Sequence, residues 1–373
     1  MEYDRILWRF DGKEPGLVLV IFVGIHGNET AGIEAVKNIA GKFKAKDCRF
    51  GGAVYAVTGN IEALRQGTRY VDQDLNRLWE VDYDEYSINP VQTDSISEMG
   101  EIQSIEQTLT SIKKKYDHPG QDFVFVDIHT TSSDSCAFIP FNDTLGNREL
   151  ARLFPVPQIL GIEEFIYGTL LSYINNHGFA AIGFEAGAHS DSESVKRSEA
   201  FLWLAMHHCR LLELTTDEIA KYEYILRKNV TISDTYYEII HRHYVKNPAR
   251  FRMKCGFHNF DEVRKDQPLA YEDEQLIRAP ANGRIFMPLY QEAGRDGFFI
   301  IRKISPVWLE LSAWLRRTSV HKWLKYLPGV TPIGNGNFKV DLSRAKYFAR
   351  KIFHLLGYRL SKQDRNTLIC YRR

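Results

Sequence analysis

The sequence predicts an α/β protein organised on a sheet of buried strands, followed by a smaller β-rich part and a basic α+β C-terminal segment. Residues 17–23 (LVLVIFV), 53–57 (AVYAV) and 123–128 (FVFVDI) are short, unbroken apolar runs, as strands covered on both faces require. Helix-forming stretches alternate with them, the rhythm of an α/β fold. Beyond about Thr215 the pattern changes to short alternating segments punctuated by Gly256, Gly283, Gly294 and Gly297, which reads as a small β-domain.

With 373 residues, 44% of them hydrophobic, the chain can bury a large core and suggests about two domains. Its net charge of +1 gives no overall bias toward nucleic acid or membrane. Five scattered cysteines (Cys48, Cys136, Cys209, Cys255, Cys370) without a C-x-x-C pair argue against a disulfide framework or a cysteine zinc site. No run reaches the ~18 apolar residues of a membrane span. A cytoplasmic location is expected.

The first strand, 17–23, leads into V-G-I-H-G-N-E-T (23–30) and then a helix over 30–42. This turn fixes His26 and Glu29 three residues apart, and Gly24 and Gly27 let the backbone bend tightly enough for both side chains to approach one cation. The alternative is a surface Glu29 behind a helix-starting Asn28. A second strand over 53–57 ends at Gly59-Asn60, and a short helix or turn over 61–66 follows it. Next comes R-Y-V-D-Q-D-L-N-R (69–77), dense in charge and without a clean period. On composition alone it is a solvated ion-pair cluster. Packed beside the His26 turn, it would instead offer Asn76 and Arg77 as a fork of donors for a carboxylate and Arg69 as a cation for a developing oxyanion.

Residues 82–106 read as an exposed acidic excursion entering a helix with Ile102, Ile105, Leu109 and Ile112 on one face. The strand over 123–128 ends in His129, where α/β sheets face their ligand crevice, and Asp127 lies on the same face to brace it. Two histidines and a glutamate match the composition of a catalytic zinc site, with a fourth position open. The strand over 181–184 leads to Glu185, a candidate for the base that takes a proton from water, or else a cap for a helix over 192–214. His189 reads as an exposed loop histidine.

These motifs resemble the succinylglutamate desuccinylase/aspartoacylase family within the zinc carboxypeptidase fold: G-x-H-G-N-E (24–29), R-Y-V-D-x-D-L-N-R (69–77), D-I-H-T (127–130) and F-E-A-G (184–187) occur in the family's order. The resemblance covers about residues 17–302. It implies a carboxypeptidase-like α/β/α sandwich with a mixed sheet and one Zn2+ per chain held by His26, Glu29 and His129. Glu185 would be general base, Arg69 oxyanion stabiliser, Asn76 with Arg77 the carboxylate clamp, and Asp127 and Asp74 the supporting carboxylates. It also implies a β-domain beside the active site, giving a division into 1–214, 215–304 and 305–373. Aspartoacylase-like members carry an arginine about ten residues before the catalytic glutamate, where this chain has Asn175; a substrate other than N-acetylaspartate is expected.

His241 and His243 share a strand face and read as β-domain residues. Residues 302–373 hold 16 Lys or Arg and 3 Asp or Glu, so the acidic excess lies in the body and the basic excess in the tail. Helices are expected over 306–317 and 343–356, and a hairpin over 358–371. The tail either docks on the acidic body or presents Trp308, Trp314, Trp323 and Tyr326 to a partner; docking is the expectation, and nucleic acid is not an expected partner. No G-x-S-x-G, P-loop or G-x-G-x-x-G is present, which removes serine-hydrolase and nucleotide readings. The expected function is zinc-dependent hydrolysis of the amide bond of an N-acyl amino acid or a related small carboxylate-bearing amide. A peptidase on short peptides and a non-catalytic metal-binding protein using the basic tail are the alternatives. A homo-oligomer is compatible with all three.

Overall fold

The computed structural model describes residues 2–43, 51–79, 96–118, 121–228, 230, 235–291, 294–345, 349–364 and 366–373. Most of the excursion expected over 82–106 therefore lies outside the described residues.

The elements of the first half are, in order, β1 (Ile6–Asp11), β2 (Glu14–Val23), α1 (Ala31–Phe43), β3 (Gly51–Thr58), α2 (Ile61–Gln66), α3 (Ser97–Lys115), β4 (Phe123–Thr131), β5 (Ile139–Phe141), α4 (Leu145–Ala151), β6 (Gln158–Leu160), α5 (Leu170–Asn176), β7 (Ala180–Ala188), α6 (Glu193–His208) and α7 (Thr216–Arg227). The central sheet has the order β1-β3-β2-β4-β7, parallel except for β1 at its edge. Strand alternation divides its side chains into two cores. Leu19, Ile21, Val23, Val126, Ile128, Ile182 and Phe184 pack with α1 and α6. Val18, Val20, Phe22, Phe125 and Ala181 face the other way, against α3 and α5. The three apolar runs and the stretch over 181–184 form the strands expected of them, but β4 and β7 run further than expected, so His129 and Glu185 sit within strands rather than after them. The helix expected over 192–214 stops at His208.

The second half adds β8 (Tyr236–Tyr244), β9 (Phe251–Met253), β10 (Glu262–Val263), β11 (Pro268–Glu272), β12 (Gln275–Arg278), β13 (Gly283–Phe286) and β14 (Asp296–Ile304). They build a six-stranded sheet, β10-β13-β14-β8-β6-β5, and a small one, β12-β11-β9. The six-stranded sheet recruits β5 and β6 from the first half and is tied to the central sheet where Phe138 and Glu185 exchange backbone hydrogen bonds of 3.0 and 2.9 Å. His243 stacks on Phe298 and bonds Glu272 at 3.1 Å, consistent with a β-domain role.

The C-terminal part comprises α8 (Pro306–Arg317), β15 (Val330–Gly334), β16 (Asn337–Asp341), α9 (Leu342–Ala345), α10 (Ala349–Leu355), β17 (Tyr358–Lys362) and β18 (Thr367–Arg372). The helix over 306–317 and the hairpin form as expected; the helix expected over 343–356 is two short ones, with 346–348 outside the described residues. The strands form a sheet of order β15-β16-β18-β17 around its own core of Leu324, Phe338, Val340, Phe353 and Tyr358. Among the described residues no helix is long and apolar enough to cross a membrane.

Candidate metal centre

The turn after β2 is shaped by its glycines. Gly24 has φ +68°, which L side chains rarely adopt, and a Cβ on Gly27 would lie 2.1 Å from the Ala63 carbonyl carbon of α2. This close packing brings His26 and Glu29 to the carboxyl end of β2. β4 is hydrogen-bonded beside β2, and β7 beside β4, with His129 and Glu185 directly paired in register. Asp127 and His129, two apart, share one strand face.

The Glu29 carboxylate bridges both imidazoles. Oε1 lies 2.7 Å from His26 Nδ1 and Oε2 lies 2.9 Å from His129 Nδ1. Oε2 also accepts the Thr130 amide at 3.0 Å. The ligand atoms of His26, Glu29 and His129 fall within 4.8 Å of one another, and all three residues are buried. The far nitrogen of each ring is held by a carboxylate: His26 Nε2 by Asp74 Oδ1 at 3.1 Å and His129 Nε2 by Asp127 Oδ2 at 2.8 Å. Carboxylates placed this way orient ligating histidines. The two imidazole nitrogens and the Glu29 carboxylate thus form a converging N, N, O donor set, which fits a divalent cation such as zinc.

Electrostatics separates two neighbouring carboxyls. Burial works to raise both. At Glu29 the His26 and His129 imidazoles outweigh it and hold the carboxyl well below its ordinary range. At Glu185 burial prevails, with Glu29 adding to it and His129 opposing, and the carboxyl is pushed up to about 8. Glu185 Oε2 is buried without a hydrogen-bond partner. His129 is raised well above the ordinary histidine range because Asp127 and Glu29 overcome its burial. Asp74 is held well below its range by Arg69, His26 and Arg77 against its own burial.

The 69–77 loop does pack beside the His26 turn, with the Gly27 amide donating to the Arg69 carbonyl at 3.2 Å. Arg69 reaches Asp74 at 3.1 Å and Glu29 at 3.4 Å. Asp74 also accepts the Asn76 amide at 2.9 Å, capping the 3-10 turn Leu75–Arg77. Asn76 Oδ1 caps α5 by accepting the Leu170 amide at 2.9 Å, which leaves its NH2 group as the available donor. Arg77 is engaged with Asp296 of β14 at 2.8 Å. His189, expected to be an exposed loop residue, is instead half-buried, with Nδ1 2.7 Å from Thr130 Oγ1. Asn175 is spent on structure: its NH2 donates to the Phe179 carbonyl at 2.8 Å and its oxygen accepts from Asn147 at 3.1 Å.

Sequence reasoning missed Glu98. Its fully buried carboxylate accepts the amides of Val71 (2.7 Å), Asp72 (3.2 Å) and Gln73 (3.2 Å) and the Asn60 side chain (3.1 Å), pinning the loop. A lone acidic residue at the start of an amphipathic helix carries no local signal of that task.

Fold and site together define an α/β protein with a candidate metal centre at the carboxyl ends of parallel strands. Residues 15–181 match the succinylglutamate desuccinylase/aspartoacylase catalytic domain. Succinylglutamate desuccinylase of Pseudomonas aeruginosa is 42% identical over 77 residues, a match covering 21% of this chain and 23% of that protein. The desuccinylase of Ectopseudomonas mendocina is 24% identical over 287 residues, covering 74% of this chain and 80% of the other. Among solved structures, a succinylglutamate desuccinylase/aspartoacylase from Rhodobacter sphaeroides shares the fold, with a TM-score of 0.56 at 16% identity over 80% of this chain and 88% of that one.

Proposed function

We propose that this protein is a zinc-dependent hydrolase that cleaves the amide bond of an N-acyl amino acid or a related small carboxylate-bearing amide. The observation that carries this reading is the buried His26, Glu29 and His129 donor set with the unpartnered oxygen of Glu185 on the neighbouring strand. In this reading residues 1–214 are a carboxypeptidase-like α/β/α sandwich, 215–304 a β-rich domain beside the site and 305–373 the basic extension.

A zinc ion held by His26, Glu29 and His129 supplies Lewis acidity toward the amide carbonyl and toward water. Asp74 and Asp127 keep each imidazole turned so that Nδ1 faces Glu29. Glu185, in its ionised form, takes a proton from the attacking water and returns it to the departing amine. Arg69 offers its guanidinium to the charge that develops on the carbonyl oxygen. Asn76 and Arg77 orient the substrate through its free carboxylate.

The test is zinc content together with turnover. Wild-type protein is expected to hold one zinc per chain and to hydrolyse at least one member of a panel of N-acyl amino acids, while His129→Ala loses the metal. Stoichiometric zinc in His129→Ala, or a zinc-loaded wild type inert toward the whole panel, would overturn the reading.

A further inference from the structure

The arginine assigned to the substrate carboxylate already has an occupant. Arg77 Nη2 donates to Asp296 Oδ2 at 2.8 Å, and the other oxygen of the same carboxylate accepts from Arg242 Nε at 2.6 Å. Arg242 comes from β8 and Asp296 opens the adjacent β14. Both forks are themselves fixed, since Arg77 Nη1 donates to the Asn76 carbonyl at 2.7 Å and Arg242 Nη1 donates to the Phe165 carbonyl. Two guanidiniums on one carboxylate leave a net positive charge. The side chains remain 30%, 19% and 17% exposed for Arg77, Arg242 and Asp296, so a solute can reach them.

The location ties this triad to the metal centre. Arg77 closes the turn that Asp74 caps, and Asp74 is the carboxylate on His26. The strand connection preceding Asp296 carries Gln291, whose side chain lies beside His189, and His189 is bonded to Thr130 on β4. Gln291 and Asp296 thus each contact a residue tied to the centre, His189 and Arg77 respectively. The stretch before Glu185 supplies no arginine. Arg242 brings the second cation from a different sheet.

We propose that Arg77 and Arg242 form a two-arginine site for the substrate's free carboxylate, and that Asp296 is its resident competitor, displaced when substrate binds. The inference rests on the N-acyl amino acid reading above. A guanidinium fork matches a carboxylate through parallel hydrogen bonds, so each arginine accepts Asp296 or a ligand carboxylate on like terms. An internal carboxylate that fills the site lowers apparent affinity by the fraction of time it is bound. Asp296 therefore sets how strongly the protein selects carboxylate-bearing substrates.

The experiment measures binding without turnover. N-acetylglycine and N-acetylglycinamide are titrated calorimetrically into zinc-loaded Glu185→Gln, into Glu185→Gln with Asp296→Asn, and into Glu185→Gln with Arg242→Gln. Removing the competitor is expected to tighten N-acetylglycine binding roughly tenfold, and removing Arg242 to weaken it by a similar factor, the size of one charge-assisted hydrogen bond. The uncharged amide should respond to neither change. Unchanged or weaker N-acetylglycine binding with Asp296→Asn overturns the proposal, as does unchanged binding with Arg242→Gln or no binding to any of the three proteins. Should the Asp296 variant fail to fold, the Arg242 variant decides alone. A wild type that hydrolyses nothing in the panel would remove the proposed function, while this comparison of affinities would still be read on its own.

Discussion

Glu29 and Glu185 lie in one buried cluster and are driven in opposite directions, which divides the labour between them. A carboxyl between two imidazoles stays ionised, as a metal ligand would have to be; burial, with Glu29 beside it, leans the other toward its protonated form. Glu185→Gln is isosteric and removes only the proton acceptor, so zinc is expected to stay bound while turnover falls by roughly 10² or more. Elemental analysis beside a turnover assay checks this, and near-normal rates would assign the base elsewhere. The candidate ligands were legible in the sequence because they are written in local features: a glycine-shaped turn for His26 and Glu29, and an apolar run ending in a histidine for His129. Asp296 and Arg242 were not. Their meeting with Arg77 depends on how the six-stranded sheet sits beside the 69–77 loop, which no local pattern encodes.

At the scale of elements, the 69–77 loop is held by one residue. Glu98, near the start of α3, accepts three consecutive backbone amides, and Ser97 returns the favour by donating its amide to Asp72 Oδ2 at 2.8 Å. Glu98→Ala would leave those part-buried amides without their acceptor, at up to about 1–3 kcal/mol for each group left unsatisfied. Denaturant unfolding should show a loss of several kcal/mol, and zinc-loaded protein should show a lower kcat/KM because Arg69 and Asp74 ride on the loop. A variant as stable and active as the wild type would show that the loop is set by its other contacts. The long apolar strands were legible, whereas β1, β5 and β6 were not. β1 is a half-exposed edge, and β5 and β6 are three residues each, too short for a periodic signal.

Across the whole molecule, the charge asymmetry resolves into a docking contact. Three of the tail's arginines pair with acids of the body: Arg316 meets Asp143 at 2.6 Å, Arg317 meets Glu149 at 2.7 Å, and Arg373 meets Asp143 at 2.9 Å and Glu163 at 2.6 Å. Its aromatics turn outward, with Trp308, Trp314, Trp323 and Tyr326 each more than half exposed. Asp143 is the centre of the contact, since Arg148 of α4 also binds it, at 2.5 Å. Burial works to raise this carboxyl, but Arg316, Arg148 and Arg373 prevail and hold it far below the carboxylate range. A depressed folded pKa stabilises the fold above the unfolded value of about 3.9, and that stabilisation is lost as pH falls through it toward the folded value. Glu163 beside it is shifted upward, chiefly by burial, so the pH dependence of the wild type alone mixes two signs. Comparison with Asp143→Asn separates them. The variant leaves three guanidiniums without their shared anion and is expected to cost about 3–5 kcal/mol at pH 7, the usual penalty for breaking a buried pair. That gap should hold from pH 7 down to about 5 and narrow below about 4, where the Asp143 carboxyl of the unfolded wild type takes up a proton while that of the folded protein stays ionised. Thermal unfolding of both proteins from pH 3 to 7 measures it, and a gap that does not change with pH would mean that the tail is held by its apolar contacts rather than by Asp143.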